Sequence, residues 1–257
     1  MDFWTHEHLV TLIPTFIFMI AASLLMRKLL INKPYRVRMI PIQVMAVLII
    51  ILEIGKQTFS ILNGYDLYHI PLHFCSIFIY VLPLMAFYRG KGEDGVRSVA
   101  CSAMLSLFFG MLIIPNVIYS NSNILSFFDS YFSFHTVFFH NLVIFALFTA
   151  IALDLHKPSG KPKEVLFIFI FAASFVILAG SASYLLDTNF SNFLYSTVGL
   201  VKELTEKIKL AIGETLTAVI YTSTLAILHI LLLIIANYLF LLICSLTKRK
   251  DKENLNH

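Results

Sequence analysis

Seven apolar runs, too long and too continuous to be packed inside a water-soluble core, set the terms for this chain. They cover about 9–26, 39–59, 70–88, 96–118, 131–153, 164–186 and 216–246, and each ends at charges, prolines or a polar cluster. Crossing a hydrocarbon core of about 30 Å takes about 20 helical residues. Membrane-spanning strands would instead be short and would alternate polar with apolar. The sequence therefore predicts an all-α, polytopic membrane protein with seven transmembrane helices. The first run has no small-residue cleavage site and reads as a retained helix rather than a signal peptide. Composition agrees: 58% of the 257 residues are apolar and only 13% are charged. That balance excludes a soluble enzyme, a disordered chain and a nucleic-acid binder. Three cysteines, Cys75, Cys101 and Cys244, make no disulfide framework.

Charge gives the orientation. Arg27, Lys28, Lys33, Arg36 and Arg38 lie between runs one and two, and Arg89, Lys91 and Arg97 between three and four. Lys157, Lys161 and Lys163 follow run five, and Lys248, Arg249, Lys250 and Lys252 close the chain. Only Lys56, Lys202, Lys207 and Lys209 fall on the other side, three of them among Glu203, Glu206 and Glu214. The positive-inside rule places the N-terminus outside and the C-terminus in the cytoplasm, an alternation that needs an odd number of spans. The chain is read as one domain, 1–257, with an outer segment at 188–215 and a basic cytoplasmic tail at 247–257. In the outer segment Val201, Leu204, Ile208 and Ile212 recur at helical spacing while Lys202, Glu203, Glu206 and Lys209 take other faces. That pattern predicts an amphipathic helix at the outer interface. No internal repeat marks an inverted-repeat transporter.

Polar groups inside a bilayer are costly, so their positions carry information. Here they gather in the outer half: His6 and His8, then Glu53, Lys56 and Gln57, then His69, His73 and Cys75. Asn116 closes run four, His135 and His140 open run five, and Ser183, Tyr184 and Asp187 close run six. A shared outer cavity is the reading. Glu53, Lys56 and Gln57 share one helical face, so Glu53 is expected to pair with Lys56 or with a histidine of a neighbouring span. His135 and His140 differ by about 140° around a helix, so at most one should point squarely inward. In a regular helix Cys75 lies about 200° from His73, which makes His73 a poor base for that thiol unless Pro71 distorts the turn. A thiol needs a base or cation to become a thiolate, and Cys75 and His140 lie at depths compatible with contact. Cys101 and Cys244, at cytoplasmic helix ends, read as packing residues. His229, mid-way along the last run, is expected to bond a neighbouring helix.

Taken in order, "THEHL" (5–9), "LEI" (52–54), "IPLHFCS" (70–76), "GMLIIPN" (110–116), "FFHNL" (138–142) and "GSASYLL" (180–186) carry a resemblance. These segments resemble the YwaF-like bacterial integral membrane proteins, which are related to vertebrate transmembrane protein 164, over roughly the first 190 residues. The vertebrate relative is a phospholipid acyltransferase with a cysteine nucleophile; more distant relatives hydrolyse lipid esters with a threonine and a histidine. By resemblance Cys75 takes the nucleophile's place and His140 that of the membrane histidine, while His8 and Glu53 match family positions. Two features depart from the pattern. The family's Asn-Tyr pair reads Ser183-Tyr184, and the charged amphipathic stretch replaces its Gly-Pro-Trp-Pro-Trp segment.

The leading expectation is a membrane lipid acyltransferase or lipid-ester hydrolase using Cys75 and His140 near the outer leaflet, with no cofactor. Asn116, Tyr184, His135, Glu53 and His8 are the candidate substrate or oxyanion residues. One alternative is a zinc-dependent lipid hydrolase, because His69 and His73 have the i, i+4 spacing that lets two imidazoles hold one metal. The other is a non-enzymatic lipid-binding or transport protein using the same buried polar groups. A retinal protein is disfavoured, since the last run has no lysine for a Schiff base before its basic tail. The expected partners are membrane lipids, without nucleic acid, at the cell membrane.

Overall fold

The computed structural model describes residues 4–254, and among them every regular element is helical. Eight helices carry the architecture: α1 (His6–Leu30), α2 (Ile40–Leu62), α3 (Phe78–Phe87), α4 (Glu93–Ile113), α5 (Tyr131–Ala152), α6 (Pro162–Leu185), α7 (Gly199–Ile212) and α8 (Glu214–Asn254). Six stretches are long and apolar enough to cross a membrane, built on α1, α2, α4, α5, α6 and α8. The third apolar run differs. It yields only the shorter apolar stretch Phe74–Phe87, a 3-10 turn leading into α3. The cause is local: Ile70 precedes Pro71, whose ring disfavours the helical region for its neighbour, and Ile70 and His73 are both extended, with ψ of 132° and 152°. The side chains of the basic tail (Lys248, Arg249, Lys250, Lys252) and residues 255–257, His257 with them, lie outside the described residues.

α4 and α5 form the centre. α4 packs on α3, α5, α6 and α8, while α5 also packs on α1 and α2. Their small and aliphatic residues are buried on several faces, including Ala100, Ala103, Met104, Val143, Ala146 and Leu147. The peripheral helices keep an outward apolar surface, as Ile17, Phe18, Leu178 and Ile227 show, which fits elements whose other solvent is hydrocarbon. At the end of the bundle where α5 finishes, Arg27 donates to the Ala152 carbonyl (2.7 Å), Arg38 to Leu153 (2.7 Å) and the Tyr35 hydroxyl to Leu155 (3.1 Å). Three side chains from two other segments thus satisfy the carbonyls that a helix terminus leaves open. Near the same end the Ser98 hydroxyl donates to Glu164 Oε1 and meets His156 Nε2, each at 2.7 Å. Cys101 is fully buried and Cys244 half-buried, Cys244 resting 3.9 Å from the His156 carbonyl.

Two measurements probe these contacts. Gly55 faces Tyr131, so an added Cβ would lie 2.0 Å from a hydroxyl that donates to the Leu52 carbonyl. Tyr131→Phe is expected to cost about 1 kcal/mol in the wild type but to stabilise the Gly55→Ala background, a sign change readable by thermal denaturation in detergent. Burial holds the His156 imidazole well below its ordinary value of 6.5, at about 4. The folded protein then binds fewer protons than the unfolded chain in that window. Stability is expected to fall as pH drops from 6.5 towards 4, and less steeply in His156→Gln.

Candidate functional site

The unwound stretch before α3 leaves backbone carbonyls without helical partners, and polar side chains take them. Gln57 Nε2 donates to the His69 carbonyl at 2.7 Å and to Glu53 Oε1 at 2.6 Å, with its own Oε1 receiving the Tyr65 hydroxyl at 2.8 Å. His73 Nε2 donates to the Tyr68 carbonyl (3.0 Å), and its Nδ1 accepts the Ser191 N–H (3.4 Å). The Ser191 hydroxyl donates to the Leu72 carbonyl at 3.0 Å. Ser191 and the adjoining Asn192 both hold positive φ, 49° and 64°, a region costly for residues other than glycine. These bonds present Cys75, half-buried, on the single 3-10 turn Phe74–Ile77. His73 has both ring nitrogens engaged elsewhere, and the segment is not the regular helix on which its angle to Cys75 was reckoned.

Behind this turn lies a buried ion cluster. Glu53 Oε1 sits 2.8 Å from Lys56 Nζ, and Glu53 Oε2 sits 3.5 Å from His135 Nε2. Glu53 thus meets both of the partners its helical face offered, the lysine of its own helix and a histidine of α5. Glu53 Oε2 and His135 Nε2 are both buried and make no hydrogen bond of good geometry. Lys56 supplies the ammonium of this cluster.

His140 is 5% exposed and its Nδ1 lies 2.6 Å from the Thr136 carbonyl. A carbonyl only accepts, so Nδ1 carries the proton and Nε2 is left as the basic nitrogen, without a hydrogen bond among the described residues. The Tyr119 ring lies between His8 and His140, with centroids 5.8 and 6.2 Å away. Its hydroxyl and Asn141 Oδ1 are buried and face each other without a hydrogen bond of good geometry. His135 and His140 are both turned inward, against the expectation of one. A peripheral helix has one inward face, but α5 is packed on α2 on one side and α1 and α4 on others, so residues 140° apart are both enclosed.

The remaining candidates are placed elsewhere. His8 has both ring nitrogens engaged, Nε2 on the Tyr119 carbonyl (3.1 Å) and Nδ1 on the Thr5 hydroxyl (2.8 Å). Asn116 Oδ1 accepts the Asn121 N–H at 3.0 Å. Tyr184 is 54% exposed and bonds Thr222 on α8 at 2.7 Å, on a groove between α6 and α8. His69 bonds Ser60 (2.7 Å) and stacks on Phe132. His69 ends one 3-10 turn and His73 caps the next, which removes the i, i+4 geometry of an α-helix, and the described residues hold no cluster of three metal-ligating side chains. His229 bonds the Leu225 carbonyl of its own helix (2.8 Å), not a neighbouring one as expected, and stacks on Phe193. Cys75 and His140 share no hydrogen bond among the described residues. Sequence reasoning passed over Tyr119 and Asn141 as site residues; Asn141 adjoins His140 in "FFHNL", but nothing in the local pattern marks Tyr119.

The model of the TMEM164 family matches residues 3–241 of this chain. No curated protein and no solved structure matches it.

The ion cluster makes a direct prediction. Lys56 and Glu53 expose only 12% and 9% of their side chains, and removing one member of a buried pair strands the other's charge. Lys56→Met is expected to cost about 3 kcal/mol, and the neutral double variant Glu53→Gln/Lys56→Met to recover most of it, measured by thermal denaturation in detergent.

Proposed function

Because the chain belongs to the TMEM164 family and is a multi-pass helical membrane protein, we propose that it transfers or hydrolyses the acyl ester of a membrane lipid. We read it as one of the family's YwaF-like members in the cell membrane, crossing it seven times with the N-terminus outside. The third passage is the Phe74–Phe87 stretch with the unwound residues before it. Two bonds support that passage: His69 meets Ser60 near the end of α2, while Gln43 near its start donates to the Ala86 carbonyl.

Cys75 is the nucleophile and His140 its base. The observation that carries this assignment is the tautomer of His140: with Nδ1–H committed to Thr136, Nε2 is free to take a proton within the same buried cluster. His140 Nε2 accepts the Cys75 proton, and the thiolate attacks the ester carbonyl carbon. The tetrahedral intermediate collapses by breaking the bond to the alcohol oxygen, which leaves with the proton from His140. An acceptor hydroxyl or water, deprotonated by the same nitrogen, then attacks the thioester and releases Cys75. The Tyr119 hydroxyl, which faces the Asn141 side chain, lies beside His140 as a candidate oxyanion donor. Approach of Cys75 to His140 accompanies substrate binding, as catalytic hydrogen bonds are often long in empty sites.

The test is intact-protein mass spectrometry after incubation with a phospholipid, together with the rate of acyl release. An acyl mass mapped to Cys75 is expected, absent from Cys75→Ala, with His140→Gln slowing release by roughly 10²-fold or more. A folded Cys75→Ala variant that keeps the full rate would overturn the assignment. Transfer and hydrolysis are told apart by adding a lysophospholipid acceptor.

A further inference from the structure

A second cavity lies where α7 overhangs the beginning of α8. The chain turns from one helix into the other at Gly213, whose φ of 82° and ψ of 166° only glycine adopts readily. This folds α7 back over a polar cavity of about 450 Å³ lined by Tyr195, Lys202, Glu206, Lys209, Thr217 and Tyr221. Lys209 is spent on Glu214, at 2.7 Å. Lys202 and Glu206 are not: both line the cavity and neither makes an ion pair among the described residues. They stand one turn apart on α7, on the same side of the helix. The cavity therefore offers one unpaired cation and one unpaired anion side by side. The remaining charges of the helix, Glu203 and Lys207, are not part of the lining.

One step further along α8 the surface changes character. A groove of about 570 Å³ runs between α6 and α8, walled by Val176, Ile177, Gly180, Phe193 and Ala226, with Tyr184 and Thr222 among its few polar groups. The two spaces meet across the turn at residues 192–194, which is pinned to α8 because Tyr221 donates to the Asn192 carbonyl (2.7 Å) and Thr222 to the Phe193 carbonyl (3.3 Å). Beside the zwitterionic cavity, then, lies an open apolar channel between two helices long enough to span the bilayer. Leu200, Leu204 and Leu210 of α7 remain exposed, as suits a helix resting in the headgroup layer.

We propose that this pair of spaces binds one zwitterionic glycerophospholipid, its phosphate on Lys202, its ammonium on Glu206 and an acyl chain along the α6–α8 groove. Charge complementarity selects the occupant: a zwitterionic headgroup offers a partner to both Lys202 and Glu206, whereas an anionic lipid or a free fatty acid offers Glu206 no cation of its own. The site does not depend on the acyl chemistry assigned to Cys75.

The experiment is native mass spectrometry of the detergent-solubilised full chain with phosphatidylethanolamine and phosphatidylglycerol of identical acyl chains. Wild type is expected to retain phosphatidylethanolamine about tenfold better. Glu206→Gln should erase that preference and leave phosphatidylglycerol binding intact or improved, whereas Lys202→Ala should weaken both. Ala226→Trp, which fills the groove, should weaken both lipids without changing their ratio. Equal retention of the two lipids by wild type, or an unchanged preference in Glu206→Gln, would overturn the proposal. The readout is lipid retention without turnover, so failure of the acyl-transfer reading would leave this result standing.

Discussion

A peptide group that has lost its helical partner must find another, and the organisation of this protein follows from how that demand is met before Cys75. Ile70 and His73 are extended between two 3-10 turns. Their neighbourhood is held because Gln57, His73 and Ser191 reach the carbonyls of His69, Tyr68 and Leu72. Each such group left buried and unsatisfied would cost about 1–3 kcal/mol. Several of the polar residues in this half of the molecule are therefore present to hold a backbone. That leaves two groups with spare chemical capacity, the thiol of Cys75 and Nε2 of His140.

The charges obey the same economy. Glu53 is surrounded by Lys56, Gln57 and His135, so a carboxylate that would be prohibitively costly alone is distributed over three partners from two helices. The pair also fixes where positive potential lies in the bundle. The central position of α5 completes the arrangement by enclosing His135 and His140 on different sides of one helix, each facing different neighbours.

Much of this was legible in the sequence. Hydropathy located six membrane-length helices and the amphipathic α7, because continuous apolarity and helical spacing are properties of a segment by itself. The Glu53–Lys56 pairing was legible for the same reason, both residues lying on one turn. The shortening of the third helix was foreshadowed only by Pro71, whose effect on Ile70 is local but whose extent is set by partners 12 and 119 residues away: the His69 carbonyl bonds Gln57, and the Leu72 carbonyl bonds Ser191. The orientations of His135 and His140 depended on how many neighbours α5 has, which no single-helix projection contains. Tyr119 was invisible because its place between two histidines is created by a return of the chain after Pro115, not by any spacing within its own segment.

The two bonds between Ser191 and the Leu72–His73 stretch also have a mechanical meaning. They make the turn after α6 and the segment carrying Cys75 a single lever, with residues 190–195 as its outer arm. A change at Ser191 therefore reaches the stretch that leads into the 3-10 turn on which the thiol sits. Outer segments cannot then be exchanged between relatives as independent parts. A transplanted segment must bring an N–H and a hydroxyl to the same two positions, or Cys75 loses its bearing even though none of its own contacts has been touched.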